Sequence, residues 1–187
     1  MVGGLAVPRI RFGERVLREW AYGDAEVLRE AAEDPYIPVI TTVPREWSEE
    51  AGRAFVERQF RRAEDGTGYP FAIVDERGRT VGHVGVWIRD LDLGRVSIGY
   101  WVVASARGSG IAAAAVGTLA EWAGAHLGAA RVELHIEPWN AGSVRTAEKA
   151  GFTCEGLLRS WGEVGGERRD MLMFARIVGS AARPAAS

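Results

Sequence analysis

Residues 96–115 read VSIGYWVVASARGSGIAAAA. They form an apolar β-rich run, then a loop with an arginine and two glycines around a serine, then small residues. The first part has the length and composition of a buried strand, bounded by a turn. The small residues continue to Gly128 and place Ile111, Ala115, Leu119 and Trp122 at helical spacing. Residues 107–110 therefore join a strand to a helix. Glycines at such a junction either supply the positive φ of a plain turn or let helix-initiating N–H groups close around an anion. The loop is not a P-loop, because no GK[ST] follows. Nor is it GxGxxG, because Ala113 stands at the last glycine. Arg107 adds a positive charge beside it, and on the residues alone the two readings stand level.

Outward from this junction the chain alternates between strands and helices. Residues 11–20, RFGERVLREW, read as a first strand, and Asp24 reads as the N-cap of a short helix. Residues 35–44 carry Pro35, Pro38 and Pro44, which argue against regular helix and for a semi-rigid loop wall. Ser48 is expected to cap a second helix over 48–65, with Ala51, Phe55, Val56, Gln59 and Phe60 on one face. A hairpin around ERGR (76–79), a turn at DLDLGR and the strand at 96–104 follow. After the helix at 109–128 come a strand at 131–138, a short helix at 141–151 and a hairpin over 152–177 through Gly165–Gly166. The order β-α-α-β-β-β-α-β-α-β-β is mixed α/β, with an antiparallel beginning and a parallel crossover after the RGSG loop. No repeat or linker divides the chain. It reads as one domain over 1–187, with its core at about 10–177, a loose lead-in at 1–8 and a short flexible tail at 178–187.

Composition excludes several function classes. The net charge of −2 over 187 residues offers no basic field for nucleic acid. One cysteine, Cys154, precludes an internal disulfide, and three histidines without HExxH spacing give no metal-site signal. No basic leader or long apolar run marks a membrane partner, so the expected location is cytoplasmic.

The stretch YWVVASARGSGIAAAAV resembles the acyl-CoA-binding motif R/Q-x-x-G-x-G/A of the GCN5-related N-acetyltransferases (GNAT superfamily). Arg107, Gly110 and Ala112 stand at its fixed positions. Downstream, RVELHIEPWNAGSVRTAEKAGFTCEGLLR is similar to the ribosomal-protein N-acetyltransferase (RimJ/RimL-like) branch. Its PxNxxS and GFxxEG patterns match Pro138, Asn140, Ser143, Gly151, Phe152, Glu155 and Gly156. The resemblance spans about residues 10–177. Two motifs at their correct separation are far more specific than either alone, and they favour the phosphate reading of the loop.

The resemblance implies a mixed, mostly antiparallel central sheet flanked by helices. It also implies transfer of an acetyl group from acetyl-CoA to a primary amine, by direct attack in a ternary complex and without a metal. Backbone N–H groups from Gly108 through Ser109, Gly110 and Ile111 to Ala112 would hold the pyrophosphate, helped by Arg107. The backbone of Trp101, Val102 and Val103 would pair with the pantetheine arm, with a bulge aiming one N–H at the thioester carbonyl. Asn140 would hydrogen-bond the pantetheine.

Two departures from the family pattern concern proton transfer. Many relatives carry a tyrosine four residues before the GF glycine, where this chain has Ala147; Ser143 is the expected substitute. Relatives often carry glutamate before IGYW, where this chain has Ser97. The expected general base is then Glu163, with His135 and Glu133 behind it. The bland readings are that Ser143 caps a helix, Glu163 is a solvated hairpin carboxylate and His135 is a satisfied strand histidine.

The acceptor could be a small amine or a protein N-terminus. Tyr36, Ile37 and Trp47 are expected to narrow the opening towards a small amine. Trp47, Trp87, Trp101, Trp139 and Trp161 would suit a flat or hydrophobic substrate. The alternatives are a non-catalytic acyl-CoA-binding module, or an enzyme using another acyl group such as succinyl, with Arg159 or Arg168 near the thioester. A homodimer that completes the cleft is a further possibility.

Overall fold

A computed structural model describes residues 4–179; residues 180–187 of the expected tail and residues 1–3 lie outside the described residues. The chain runs β1 (Ile10–Phe12), β2 (Arg15–Arg18), α1 (Val27–Glu33), α2 (Ile37–Ile40), α3 (Glu49–Glu64), β3 (Gly68–Val74), β4 (Thr80–Trp87) and β5 (Arg95–Val102). It continues through α4 (Ile111–Leu127), β6 (Arg131–Ile136), α5 (Ala141–Lys149), β7 (Thr153–Val164) and β8 (Glu167–Ile177). The strands form one sheet in the order β1-β2-β3-β4-β5-β6-β8-β7. Every neighbouring pair is antiparallel except β5 and β6, the two strands joined by the α4 crossover.

The α/β order expected from sequence holds, with local differences. The first strand is a hairpin, because Gly13 at φ 62° turns the chain between β1 and β2. Residues 37–40 form one helical turn despite Pro38, which sits in the first turn, where a missing N–H costs nothing. Asp24 does not cap α1. It lies inside a preceding 3-10 turn (22–26), where its buried carboxylate accepts from the Ala21 N–H at 2.7 Å and pairs with Arg18. The lead-in from Gly4 is docked rather than loose, since the Leu5 N–H donates to Ala63 O. Val178 is docked in the same way, donating to Ala130 O.

Two helices cover opposite faces of the central strands, which is why β3 and β4 are buried along almost their whole length. α4 packs on β4, β5 and β6 through Ile111, Ala115, Val116, Leu119, Ala120 and Ala123. Its small residues allow close approach: a Cβ at Gly124 would meet Val178 at 2.9–3.1 Å. α3 packs on the other face, where Phe55 meets Trp20, His83 and Trp101 edge-on at 5.1–6.4 Å. Ser48 caps α3 by accepting from the Ala51 N–H at 3.0 Å. Ser48→Ala is expected to cost about 1 kcal/mol and to lower Tm by roughly 2–4 °C in a thermal melt.

Candidate active site

The register of the sheet opens a cleft at its centre. β5 and β6 pair only from Arg95–Ser97 to Arg131–Glu133. Beyond that point β6 stays on β8 and β5 stays on β4, so the two strands part. Between them lies a cleft of about 1220 Å³, lined from Ile98 to Val102 on one side and from Leu134 to Glu137 on the other.

The antiparallel alternation decides which backbone groups face the gap. The Val103 N–H donates to Val81 O at 3.0 Å. Residues 103, 101 and 99 therefore turn their N–H and C=O groups towards β4, and 102 and 100 turn theirs towards the gap. Trp101 and Val103 are thus committed to the sheet, while Tyr100 and the Val102 N–H present free groups. The expected bulge at 101–103 is absent, because β5 runs in even register against β4 from Ser97 to Val102. The unpaired edge arises from strand divergence instead.

At the end of β5 the RGSG loop opens α4. Gly108 and Gly110 adopt φ 78° and 76°, and a Cβ on either would meet no protein atom within 4 Å. Gly110 is the N-cap and supplies no side-chain acceptor. The Ser109 hydroxyl donates to Ala106 O at 2.8 Å and lies 3.4 Å from the Ile111 N–H. The N–H groups of Ala112 and Ala113 have no intrahelical partner, as at any helix start, and the 17-residue helix adds its dipole. The result is an open, glycine-walled cradle suited to an anion.

Arg107 is anchored at this cradle. Its Nε donates to Val102 O at 3.1 Å, and its guanidinium pairs with Asp34 at 2.6 Å. Burial opposes ionisation of Asp34. The N–H groups of Ile37 and Tyr36, together with Arg107, outweigh it and hold the carboxyl below its ordinary range. The proline-rich wall is therefore tied to the loop through one ion pair.

The start of α5 borders the cleft next to Tyr100. Asn140 caps the helix by accepting from the Ser143 N–H at 3.0 Å, and Asn140, Ser143, Arg145, Thr146 and Lys149 line the cleft. The Tyr100 hydroxyl donates to Ser143 O at 3.4 Å, and burial pushes the phenol above its usual range. Tyr100 is a candidate that sequence reasoning missed. Its signal was the IGYW string itself, read there as strand only.

The opposite face of the sheet carries aromatic side chains. Gly85 lies across from Gly99, so that floor has no side chains of its own, and the Trp87 ring lies over it. Trp101, His83 and Trp87 succeed one another in near-parallel planes, with centroids 6.3 and 6.4 Å apart. The Arg62 guanidinium from α3 lies 5.0 Å from the Trp87 ring centroid. Desolvation, with a contribution from the Arg62 charge, pushes His83 down to about 3, so it is neutral. Trp20 Nε1 donates to its Nδ1 at 3.2 Å, which leaves the proton on Nε2.

The candidate bases differ in place. His135 lines the cleft, half-buried, with its Nε2 buried and, among the described residues, without a hydrogen-bond partner. Burial pulls it below the ordinary imidazole range, against the charge of Glu133. An irregularity in β7 between Leu158 and Gly162, with Ser160 at φ 49°, presents Trp161, whose ring stacks on His135 at 5.3 Å. Glu133 is held by Arg131 at 2.6 Å. Glu163 is exposed on the β7–β8 hairpin opposite Arg168 and does not line the cleft. Glu137, unremarked in the sequence, is buried at the end of β6; it accepts from the Tyr36 hydroxyl at 2.5 Å and lies 3.9 Å from Arg169. Of the five expected tryptophans, Trp87, Trp101 and Trp139 line the cleft, while Trp47 packs against Gly52 and Arg29. Among the described residues, no group of three or more His, Cys, Asp or Glu side chains could hold a metal ion, and no helix is long and apolar enough to cross a membrane.

Comparison with known proteins agrees with this geometry. The chain is 28% identical over 160 residues to "Uncharacterized N-acetyltransferase p20" of Bacillus licheniformis, covering 85% of this chain and 90% of that protein. The structure of Mycobacterium smegmatis RimJ in complex with CoA-disulfide superposes with a TM-score of 0.75 at 26% identity, covering 91% of this chain and 86% of that one. The ribosomal-protein-S5-alanine acetyltransferase of Vibrio fischeri superposes with a TM-score of 0.75 at 17% identity, covering 95% and 100%. Residues 15–153 match the acetyltransferase (GNAT) domain model, and with the splayed sheet and glycine-walled cradle they make this chain a member of the GNAT acetyltransferase family.

Proposed function

We propose that the cleft transfers an acetyl group from acetyl-CoA directly to a primary amine. The observation that carries this reading is the parting of β5 and β6 immediately before the cradle at Gly108–Ala112. An extended thioester arm suits the gap, adding to the β5 edge through the backbone of Tyr100 and Val102. The diphosphate meets the N–H groups at the α4 start, with Arg107 beside it. Arg145 and Lys149 supply further positive charge along the α5 wall.

The amine nitrogen attacks the thioester carbonyl carbon. The C–N bond forms, the C–S bond breaks, and its electron pair leaves on sulfur. The Val102 N–H, turned into the gap, is placed to meet the developing oxyanion. The proton lost by nitrogen passes to His135, whose unpartnered Nε2 favours it over the exposed Glu163 and the ion-paired Glu133. The hydroxyls of Tyr100 and Ser143 border the thiolate side of the cleft, and Tyr100, with its pKa raised, keeps its proton as a donor. Acetyl is favoured over succinyl, because neither Arg159 nor Arg168 lines the cleft.

The test is thiol release from acetyl-CoA across N-terminal peptides, polyamines and small aromatic amines. Turnover with at least one class is the expected result. Saturable acetyl-CoA binding without thiol release from any of them would move the assignment to a binding module.

A further inference from the structure

Among the described residues, the acceptor half of the cleft contains donors and flat rings, and no free acid. Six charged side chains of the described residues line the whole cleft: Arg62, Arg107, Arg145, Lys149, Asp34 and Glu137. Both acids are already engaged, Asp34 by Arg107 and two N–H groups, and Glu137 by the Tyr36 hydroxyl with Arg169 nearby. Three of the four cations lie along the cradle and α5, on the cofactor side. Arg62 is the exception.

Arg62 projects from α3 on the opposite face of the sheet. One of its nitrogens donates to Gln59 Oε1 at 2.8 Å, and its plane lies by Trp87. Among the described residues, no carboxylate lies within 4 Å of it. It is half-buried, and burial lowers its pKa, with the Arg58 charge adding to the effect. The cation–π contact with Trp87 accounts for the position of the guanidinium but, among the described residues, leaves most of its N–H groups without acceptors. Next to Trp87 in the ring series, the neutral His83 borders the cleft with Nε2 protonated and, among the described residues, without an acceptor. A half-buried guanidinium with N–H groups left over after its bond to Gln59, on a wall without a free carboxylate among the described residues, makes a site for an anion. A cationic polyamine would meet repulsion there and find no free carboxylate.

The rings supply the second half of the specificity. Trp101 and His83 are buried against Trp20 and Phe55, and the half-buried Trp87 at the end of the series, with Arg62 beside it, offers a flat surface suited to a planar apolar group. Building on the acetyl-transfer reading above, we infer that the acceptor is an amino carboxylate with a flat apolar body, its anionic group held by Arg62.

Two matched pairs of probes test this at two amine-to-anion spacings: phenylalanine against phenylalanine amide, and 4-(aminomethyl)benzoate against 4-(aminomethyl)benzamide. Binding to the acetyl-CoA-saturated protein is followed by tryptophan quenching and calorimetry, and thiol release is measured in parallel. In at least one pair, the carboxylate is expected to bind at least tenfold more tightly than its amide. Arg62→Gln should remove that preference, and Arg62→Lys should restore part of it. A thermal melt and the acetyl-CoA Kd of each variant separate loss of the anion site from loss of the fold. Equal or tighter binding of both amides, no binding of any probe, or a preference that survives Arg62→Gln would each overturn the inference. Tight carboxylate binding without thiol release would uphold the anion site and count against acetyl transfer, so the two readings fail separately.

Discussion

Replacing His135 with glutamine lowers kcat by about 100-fold while leaving the acetyl-CoA Kd within a factor of two. General-base assistance contributes about 10²–10⁴-fold, and His135 is the cleft-lining imidazole whose Nε2 has no partner among the described residues. The pH profile gives the sharper signature. Burial lowers the His135 pKa in spite of the Glu133 charge, so its base form persists to lower pH than in a free imidazole. The wild-type acid limb is therefore expected below about 6.5, the ordinary histidine value, with the rate falling as pH drops through the lowered pKa. In His135→Gln that limb disappears. Steady-state kinetics from pH 5 to 9 checks both statements. A kcat within about threefold of wild type, or an unchanged acid limb, would return the role to another group or to solvent.

Gly110→Val should raise the acetyl-CoA Kd by about 100-fold. Two effects act together. A side chain at φ 76° costs about 1–2 kcal/mol, more when β-branched, and the site relaxes away from the cradle geometry. Each charge-assisted hydrogen bond lost to a phosphate removes about 1.5–3 kcal/mol. A combined loss of about 3 kcal/mol corresponds to roughly 100-fold in affinity. Gly128 provides the control, because it too has positive φ, 70°, with open space around its Cβ, and it caps the opposite, C-terminal end of the 17-residue α4. Gly128→Val should show similar strain in a melt and no change in Kd. If both variants bind acetyl-CoA as wild type does, the phosphates do not use this cradle.

Most of the fold was legible because its signals are local. Ser48 before an amphipathic run marked the start of α3, and RGSG between an apolar strand and a small-residue helix marked the parallel crossover. The misreadings at the N-terminal end have local causes of another kind. Gly13 breaks a run that alternates well enough for one strand, and Pro38 is harmless in the first turn of a helix. Asp24 is spent on Arg18 and Thr80, partners that lie outside its own short segment.

The chain's own order of residues determined the crossover and the glycine cradle with Arg107 beside it, because each depends on neighbours within a few positions; the cap of α5 fell to Asn140 and not to Ser143. Only the tertiary structure decided which groups share the cleft. Divergence of β5 and β6 turns the Tyr100 backbone and the Val102 N–H into the gap and commits Trp101 and Val103 to β4. Strand pairing aligns Trp101 with His83, and packing of α3 brings Arg62 over Trp87. The irregularity in β7 brings Trp161 onto His135 while leaving Glu163 in solvent. These contacts join residues tens of positions apart, and no local period or motif encodes such distances. Burial then sets the protonation of His83 and His135, and burial exists only once the sheet and its helices have closed around them.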